Sequence, residues 1–299
     1  MPELPDVTLY VERLSAKVVD RPLEAARVAS PFVLRTVQPP LSAVEGKRVT
    51  EVRRLGKRIV LRFESDLFLV IHLMVAGRLR WKKKGVAVPK KNGLAAFDFP
   101  DGSVLFTEAS TKKRASIHVV EGEAGLADHD RGGLEVFGAT PKAFGEALRR
   151  SNHTLKRALT DPRILSGIGN AYSDEILFSA RMSPFKLTQK LTDEEVSHLL
   201  EHTRTVLERF TETMRAEIGE GFPDKVTAFR DDMFVHGRYR EPCRVCGTKI
   251  QRVAYAENEM NYCPTCQNAG RLLADPSLSR LMKKDWPKTV EELEQLRKG

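Results

Sequence analysis

Apolar positions change their period part-way along the chain. Up to about residue 125 they come in short runs rich in branched and aromatic residues, set apart by Gly, Asp or Pro. Examples are Arg58-Ile59-Val60-Leu61-Arg62-Phe63, Leu67-Phe68-Leu69-Val70-Ile71-His72-Leu73 and Val104-Leu105-Phe106. Such runs predict strands, and several of them together predict a β-sandwich or barrel. One helix precedes them, with Val7, Leu9, Tyr10, Val11 and Leu14 on its apolar face and Pro22 ending the run. Residues 122–140 turn Gly- and Asp-rich and read as a linker. Beyond them the spacing is helical over 141–149, 155–159, 171–180 and 193–217, with Thr192 as the N-cap of the last helix. Thr289-Val290-Glu291-Glu292 reads as a capping box that opens a short terminal helix. Strands first and helices afterwards make the expected fold class α+β.

At 299 residues the chain exceeds the usual size of one core, so two domains, or one with appendages, are expected. Its 41% hydrophobic content suits a folded soluble protein, and no apolar run is long enough to span a bilayer, which argues against a membrane partner. The start, Met1-Pro2-Glu3-Leu4-Pro5-Asp6, lacks the basic and apolar regions of a secretory signal, and the expected location is the bacterial cytosol or nucleoid. The net charge of +9 gathers into clusters such as Arg53-Arg54, Lys57-Arg58, Lys82-Lys83-Lys84, Lys90-Lys91 and Lys112-Lys113-Arg114. Any one cluster also fits a solvated strand edge, but their recurrence points to a polyanionic partner.

All four cysteines lie in one segment, as Cys243-Arg244-Val245-Cys246 and Cys263-Pro264-Thr265-Cys266. Each close pair places two thiolates on one ion from a tight turn, and the intervening stretch fits a two-stranded hairpin that completes a tetrahedral sulfur site. One Zn2+ is expected in preference to disulfides or unrelated thiols in a cytosolic chain with no cysteine elsewhere, and it is structural because four protein ligands leave no open position for chemistry. Arg240, Arg244, Lys249 and Arg252 surround this hairpin, and a zinc ribbon of this kind serves nucleic acid, protein or structure alike.

Two further segments carry candidate chemistry. Ser166-Gly167-Ile168-Gly169-Asn170-Ala171-Tyr172-Ser173-Asp174-Glu175 joins a helix end to a new helix, with Asn170 expected at the cap. Its glycines permit close backbone approach and the helix N-terminus offers N–H groups to a phosphate, although a plain glycine turn between packed helices has the same pattern. At the start of the chain, removal of Met1 before a small residue would leave Pro2 as a secondary amine that titrates near neutrality. Such an amine attacks C1′ of a deoxynucleotide, and the resulting cationic imine draws electrons from C2′ and expels the 3′ phosphate. Glu3 stands beside it to move protons. Pro2-Glu3-Leu4-Pro5 also fits an extended leader packed on the sandwich.

Taken in order, Pro2-Glu3-Leu4-Pro5, Lys57, the Gly167 to Glu175 turn, Phe234-Val235-His236-Gly237-Arg238 and the closing four-cysteine finger resemble the formamidopyrimidine-DNA glycosylase/endonuclease VIII family over residues 1 to about 267. The Gly-Arg step before Glu241-Pro242-Cys243 is more similar to the formamidopyrimidine-DNA glycosylase branch. The resemblance implies an N-terminal catalytic β-sandwich (1–134), a helix–two-turn–helix domain (135–236), a zinc-finger hairpin (237–267) and a basic C-terminal extension (268–299). It implies a monomer on double-stranded damaged DNA that excises oxidised or modified bases and cleaves abasic sites by β,δ-elimination. Pro2 is then the Schiff-base nucleophile, Glu3 the proton donor, Lys57 a cation at the lesion's sugar and phosphate, and Glu175 a support for the catalytic end. Gly169 and Asn170 would clamp a phosphate, and residues 218–232 would form a loop over the extruded base.

Three segments depart from the family pattern. Asn258 stands where the family's finger carries a phosphate-gripping arginine, and it brings no charge. In His72-Leu73-Met74-Val75-Ala76-Gly77 the methionine sits one place earlier than the family's void-filling residue, with His72 and Met74 still expected at the DNA. Glu108 to Ser116 replaces an Asp-Pro-Arg-Arg-Phe-Gly loop and leaves Arg114 as its DNA-facing candidate. These departures keep a second reading in view, a binding protein for damaged or abasic DNA with little excision.

Overall fold

The computed structural model describes residues 1–299 other than 225, 227, 228, 256, 257, 276–278, 280, 281 and 297–299. The chain forms two compact units, one of Met1–Arg131 with Glu208–Ala228 and one of Gly132–Leu207 with Phe229–Gly299.

In the first unit, helix α1 (Leu4–Val18) carries Pro5 in its first turn, where a missing N–H breaks no helical bond. It buries Val7, Tyr10, Leu14 and Val18 against two antiparallel four-stranded sheets. One sheet has the order β2 (Val49–Leu55), β3 (Arg58–Phe63), β4 (Leu67–His72), β8 (Ser116–Glu121). The other has β1 (Ala25–Val28), β6 (Gly93–Phe99), β7 (Gly102–Glu108), β5 (Gly77–Lys82). Ile59, Leu61, Phe63, Leu69 and Ile71 face Leu79, Phe97, Phe99 and Phe106 across the sandwich. The expected sandwich is thus present.

Strand β4 is apolar throughout because both its faces are covered: Leu67, Leu69 and Ile71 point into the sandwich, and Phe68 and Val70 point out with Val60. Helix α2 (Gly122–Ala127) supplies the outer cover through Leu126. The linker read from the Gly-rich segment is corrected here, since its first six residues are helical and packed. Gly122 starts the helix at φ +73°, and an apolar outer sheet face recruits a short helix that composition alone conceals.

The second unit is helical, with α3 (Pro141–Arg149), α4 (Leu155–Thr160), α5 (Asn170–Ser179) and the first part of α6 (Asp193–Ile218). Thr192 caps α6 as expected: its Oγ1 accepts the Glu195 N–H at 3.2 Å, and Glu195 Oε2 accepts the Thr192 N–H at 3.1 Å. A hairpin of β9 (Gln251–Tyr255) and β10 (Asn258–Tyr262) leads into α7 (Pro264–Asn268). The C-terminal extension is fastened to that hairpin. Tyr262 Oη accepts the Leu273 N–H at 2.7 Å, Asp275 Oδ2 accepts the Ala254 N–H at 2.9 Å, and Lys249 pairs with Glu294. Thr289 Oγ1 accepts the Glu292 N–H at 3.3 Å at the start of the terminal helix Val290–Leu296, as its sequence predicts. Among the described residues no helix is long and apolar enough to cross a membrane.

Candidate active site and phosphate-facing turn

Pro2 and Glu3 are buried, and Glu3 is the N-cap of α1. Asp6 Oδ2 accepts the Glu3 N–H at 2.8 Å, which fixes the backbone of the leader against the helix. Burial pushes the Asp6 carboxyl up to about 7, further than the Glu3 N–H bond pulls it down. Its Oδ1 is shielded and has no hydrogen-bond partner among the described residues. The amino group of Met1 is held below its ordinary value, chiefly by burial, with Arg78 and Lys57 adding repulsion against the opposing pull of Glu3 and Asp6. Burial thus shifts this amine toward its neutral form.

Lys57 occupies the two-residue turn between β2 and β3, whose first position, Gly56, has φ +60°. His72 ends β4 directly opposite Arg58. Burial first, then Arg58 and Lys57, lower His72 to about 4, so it is neutral near pH 7. The loop after it is tight: the Gly77 N–H donates to Leu73 O at 2.8 Å, and a Cβ at Gly77 would sit 2.1 Å from that oxygen. Met74 is held at φ +52° and is half-buried, while Val75 at the tip is 59% exposed. In the loop between β7 and β8, the buried Glu108 carboxylate accepts the N–H groups of Arg114 at 3.1 Å and Ala115 at 3.3 Å. Ser110 to Arg114 all lie on the surface or close to it, with no aromatic residue among them.

In the second unit the turn has Gly167 at φ +80° and Gly169 as the N-cap of α5. Asn170 is therefore the first helical residue and not the cap, because the cap requires extended backbone, which glycine supplies without a side chain. Its Nδ2 donates to Glu259 O of β10 at 2.6 Å. The next two acids are buried and fully engaged. Asp174 accepts from Lys156 Nζ at 2.5 Å, His236 Nδ1 at 2.8 Å and the Asn261 N–H at 3.0 Å. Glu175 accepts the N–H groups of Phe234, Val235 and His236 at 2.9, 2.9 and 3.0 Å. Burial still raises the Glu175 carboxyl above its ordinary value.

The sulfurs of Cys243, Cys246, Cys263 and Cys266 all lie within 4.8 Å of one another. Cys243 and Cys266 are 3.9 Å apart and Cys246 and Cys263 3.4 Å. Tetrahedral Zn–S bonds of about 2.3 Å require sulfurs roughly 3.8 Å apart, so the four thiols fit one structural zinc ion. Asn258 opens β10 opposite Tyr255, and its side chain lies outside the described residues.

Comparison with known proteins decides the family. The model of the formamidopyrimidine-DNA glycosylase N-terminal domain matches residues 1–114, that of its H2TH domain 137–219, and that of the zinc finger found in FPG and IleRS 240–269. This chain belongs to the formamidopyrimidine-DNA glycosylase family. The formamidopyrimidine-DNA glycosylase of Heliobacterium modesticaldum is 31% identical over 280 residues, covering 89% of this chain and all of that protein. That of Mycoplasma genitalium is 28% identical over 275 residues, covering 89% and 96%. The fold matches MutM in complex with carbocyclic 8-oxo-G containing DNA (24% identity, TM-score 0.78, 89% and 100% covered). It also matches the Lactococcus lactis Fpg in complex with DNA containing an abasic site (22%, TM-score 0.76, 89% and 99%).

As a formamidopyrimidine-DNA glycosylase family member the chain is a DNA glycosylase of base-excision repair with abasic-site lyase activity, and its finger holds one zinc. Two residues at its site escape the motif reading. Asp6 carries no signal beyond its place in the first turn of a helix. Arg78 looks like any polar position of an alternating strand, yet it repels a proton from the terminal amine, and it donates to Val75 O at 3.3 Å, Gly77 O at 2.7 Å and Val226 O at 2.7 Å. Of the expected loop over an extruded base, 218–232, residues 225, 227 and 228 lie outside the described residues.

Proposed function

We propose that Pro2, once Met1 is removed, attacks C1′ of a lesion nucleotide in double-stranded DNA while Glu3 delivers a proton to the departing base or the opening sugar. The observation that carries this reading is the burial of Pro2 and Glu3 at a chain start where burial, with Arg78 and Lys57, lowers the proton affinity of the terminal amine of Met1. The new C1′–N bond gives an iminium, because proline nitrogen has no second proton to lose. Its positive charge eases loss of a C2′ proton, whose electrons expel the 3′ phosphate, and loss of a C4′ proton from the resulting conjugated iminium then expels the 5′ phosphate. Lys57 offsets charge on the sugar-phosphate, and neutral His72 donates or accepts a hydrogen bond there. Glu175 acts as a positioning residue, since its carboxylate is wholly occupied by the 234–236 backbone.

On this reading residues 1–134 are the catalytic domain, 135–236 a DNA-binding domain, 237–267 the finger and 268–299 a basic extension, in a monomer of the bacterial cytosol or nucleoid. Gly169 and Asn170 supply the phosphate clamp of the turn, with Asn170 exchanging Glu259 O for a phosphate oxygen. Met74 and Arg114 border the duplex, and Asn258 contributes a neutral hydrogen bond to it. Oxidised or modified bases are the substrate class.

The test is borohydride trapping on duplexes bearing an abasic site, 8-oxoguanine or an oxidised pyrimidine, with Pro2→Gly and Glu3→Gln variants alongside. A covalent adduct that depends on Pro2 is expected. A second reading, a damage-binding protein with little excision, is favoured by Asn258 and prevails if lesion duplexes bind and none is trapped.

A further inference from the structure

The outer face of the β2–β3–β4–β8 sheet holds a group of basic side chains of which the proposed excision chemistry uses only His72. Strand register puts Arg58, His72 and Ser116 in one row, and Val60, Val70 and His118 in the next. The connection after α2 brings His129 against His118, ring centroids 4.5 Å apart and edge to face. None of Arg58, His72, His118 or His129 forms an ion pair among the described residues, and Nδ1 of His118 is shielded without a hydrogen-bond partner. A structural histidine cluster of this burial is ordinarily satisfied by carboxylate or carbonyl groups.

The charges around this group repel one another. Burial, then Arg131, lowers Arg58, and Asp130 opposes them less strongly. His118 is lowered to about 4 by burial, then by His129, Arg58 and Arg35. His129 is lowered by burial and Arg58, with Asp128 opposing and Arg131 adding to the repulsion. His72 at the end of β4 and Lys57 in the β2–β3 turn lie beside Arg58, and Arg53 and Arg62 stand further along the same face over Phe68. Two guanidinium groups and two imidazoles of lowered proton affinity, only partly opposed by Asp128 and Asp130, form a cradle for an anion.

We propose that Arg58, His118, His129 and Arg131 form a second phosphate site, which holds a backbone phosphodiester of bound DNA beyond the lesion nucleotide. The site begins at Arg58, next in sequence to Lys57, and reaches His118 two residues along β8 from the Arg58 row, about 7 Å further. It rests on the reading of this chain as a DNA-processing enzyme whose lesion lies at Pro2 and Lys57. An anion here cancels the repulsion and raises the proton affinity of both imidazoles, so binding takes up protons and DNA affinity rises as pH falls from 8 to 6. For each proton taken up the gain approaches about tenfold per pH unit.

The experiment measures affinity for undamaged and abasic-analogue duplexes against salt at pH 6 and pH 8. It compares the wild-type protein with Arg58→Gln and with a His118→Asn, His129→Asn double variant. Both variants are expected to bind both duplexes more weakly by the same factor, to lose about one unit of salt slope, and in the double variant to lose most of the pH dependence. Pro2 trapping at saturating protein stays at the wild-type level. In parallel, histidine NMR on the wild-type protein is expected to show the His118 and His129 rings shifting with duplex, which keeps the test open if a variant does not fold. Unchanged salt slope and pH dependence in folded variants, or rings that answer to inorganic phosphate but not to duplex, would overturn the site. Absence of trapping in the wild-type protein would instead sink the imine reading and leave the phosphate site standing.

Discussion

Two pairs of buried acids, Glu3 with Asp6 and Asp174 with Glu175, are bonded in different ways. The second pair is saturated: six donors converge on two carboxylates, from Lys156, His236 and Asn261 on one and from three successive backbone N–H groups on the other. In the first pair Glu3 accepts the Asp6 N–H of the capping box, while Asp6 is pushed up to about 7 and its Oδ1 has no hydrogen-bond partner among the described residues. A saturated carboxylate fixes backbone, whereas an undersupplied one stays ready to take a proton. On the proposed function, reactivity falls to Glu3 and stability to Asp174 and Glu175.

The largest effect that would break this comparison is expected from Glu3→Gln. Removing a proton donor at a reacting centre slows base excision by about 10²–10⁴-fold while folding stability changes by less than about 1 kcal/mol. Single-turnover excision and thermal unfolding on the same samples check both halves. A large loss of stability with preserved excision would reverse the roles assigned to the two pairs. Glu175→Gln is expected to do the opposite. One oxygen still accepts the Val235 and His236 N–H groups, but the new amide meets the Phe234 N–H donor to donor, at a cost of about 2–3 kcal/mol. Trapping at Pro2 survives wherever the variant is folded.

How much of this was legible in sequence follows from the same contrast. The four-cysteine spacing is a local pattern that depends on near neighbours in the chain, and it was legible in the sequence, as were the buried Pro2-Glu3 start and the Gly167 to Glu175 turn as structural features. The α2 cover over Val60, Phe68 and Val70 was not legible, because its reason is an apolar sheet face assembled from other strands. Asp6 and Arg78 were missed for a similar reason. A carboxyl in a helix's first turn reads as dipole compensation, and only burial among Glu3, Tyr10 and the terminal amine turns it into a titrating group. Gly169 holds the extended backbone of the cap expected of Asn170, whose amide instead donates to Glu259 O.

Asp6 gives the sharper test of smaller size. Its folded pKa lies above that of an unfolded aspartate, so the native state holds the proton more tightly. The stability this contributes is present in full below about pH 4 and is lost as pH rises to about 7. Asp6→Asn removes the titration. Unfolding free energy of the wild-type protein is expected to fall relative to the variant by up to a few kcal/mol between pH 4 and 7, and the gap to stay constant above pH 8. A pH-independent gap across that window would mean that Asp6 is not the proton holder of the first pair.

The smallest expected effect concerns the loop between β4 and β5, where sequence favoured Met74 and the exposed apolar tip is Val75. Met74 sits at φ +52°, half-buried, and the Arg78 guanidinium grips the carbonyls of Val75 and Gly77, so the loop presents the same residue each time it meets DNA. If Val75 enters the space left by an extruded nucleotide, Val75→Ala removes two buried carbons, about 1–1.5 kcal/mol, and slows excision from duplex about five- to tenfold. Excision from single-stranded substrate, which leaves no such space, is expected to stay within about twofold. Met74→Ala should disturb stability more than duplex excision. Equal losses on duplex and single strand for Val75→Ala would return the void-filling role to Met74, and would place the strain at its backbone in the service of insertion and not of loop rigidity.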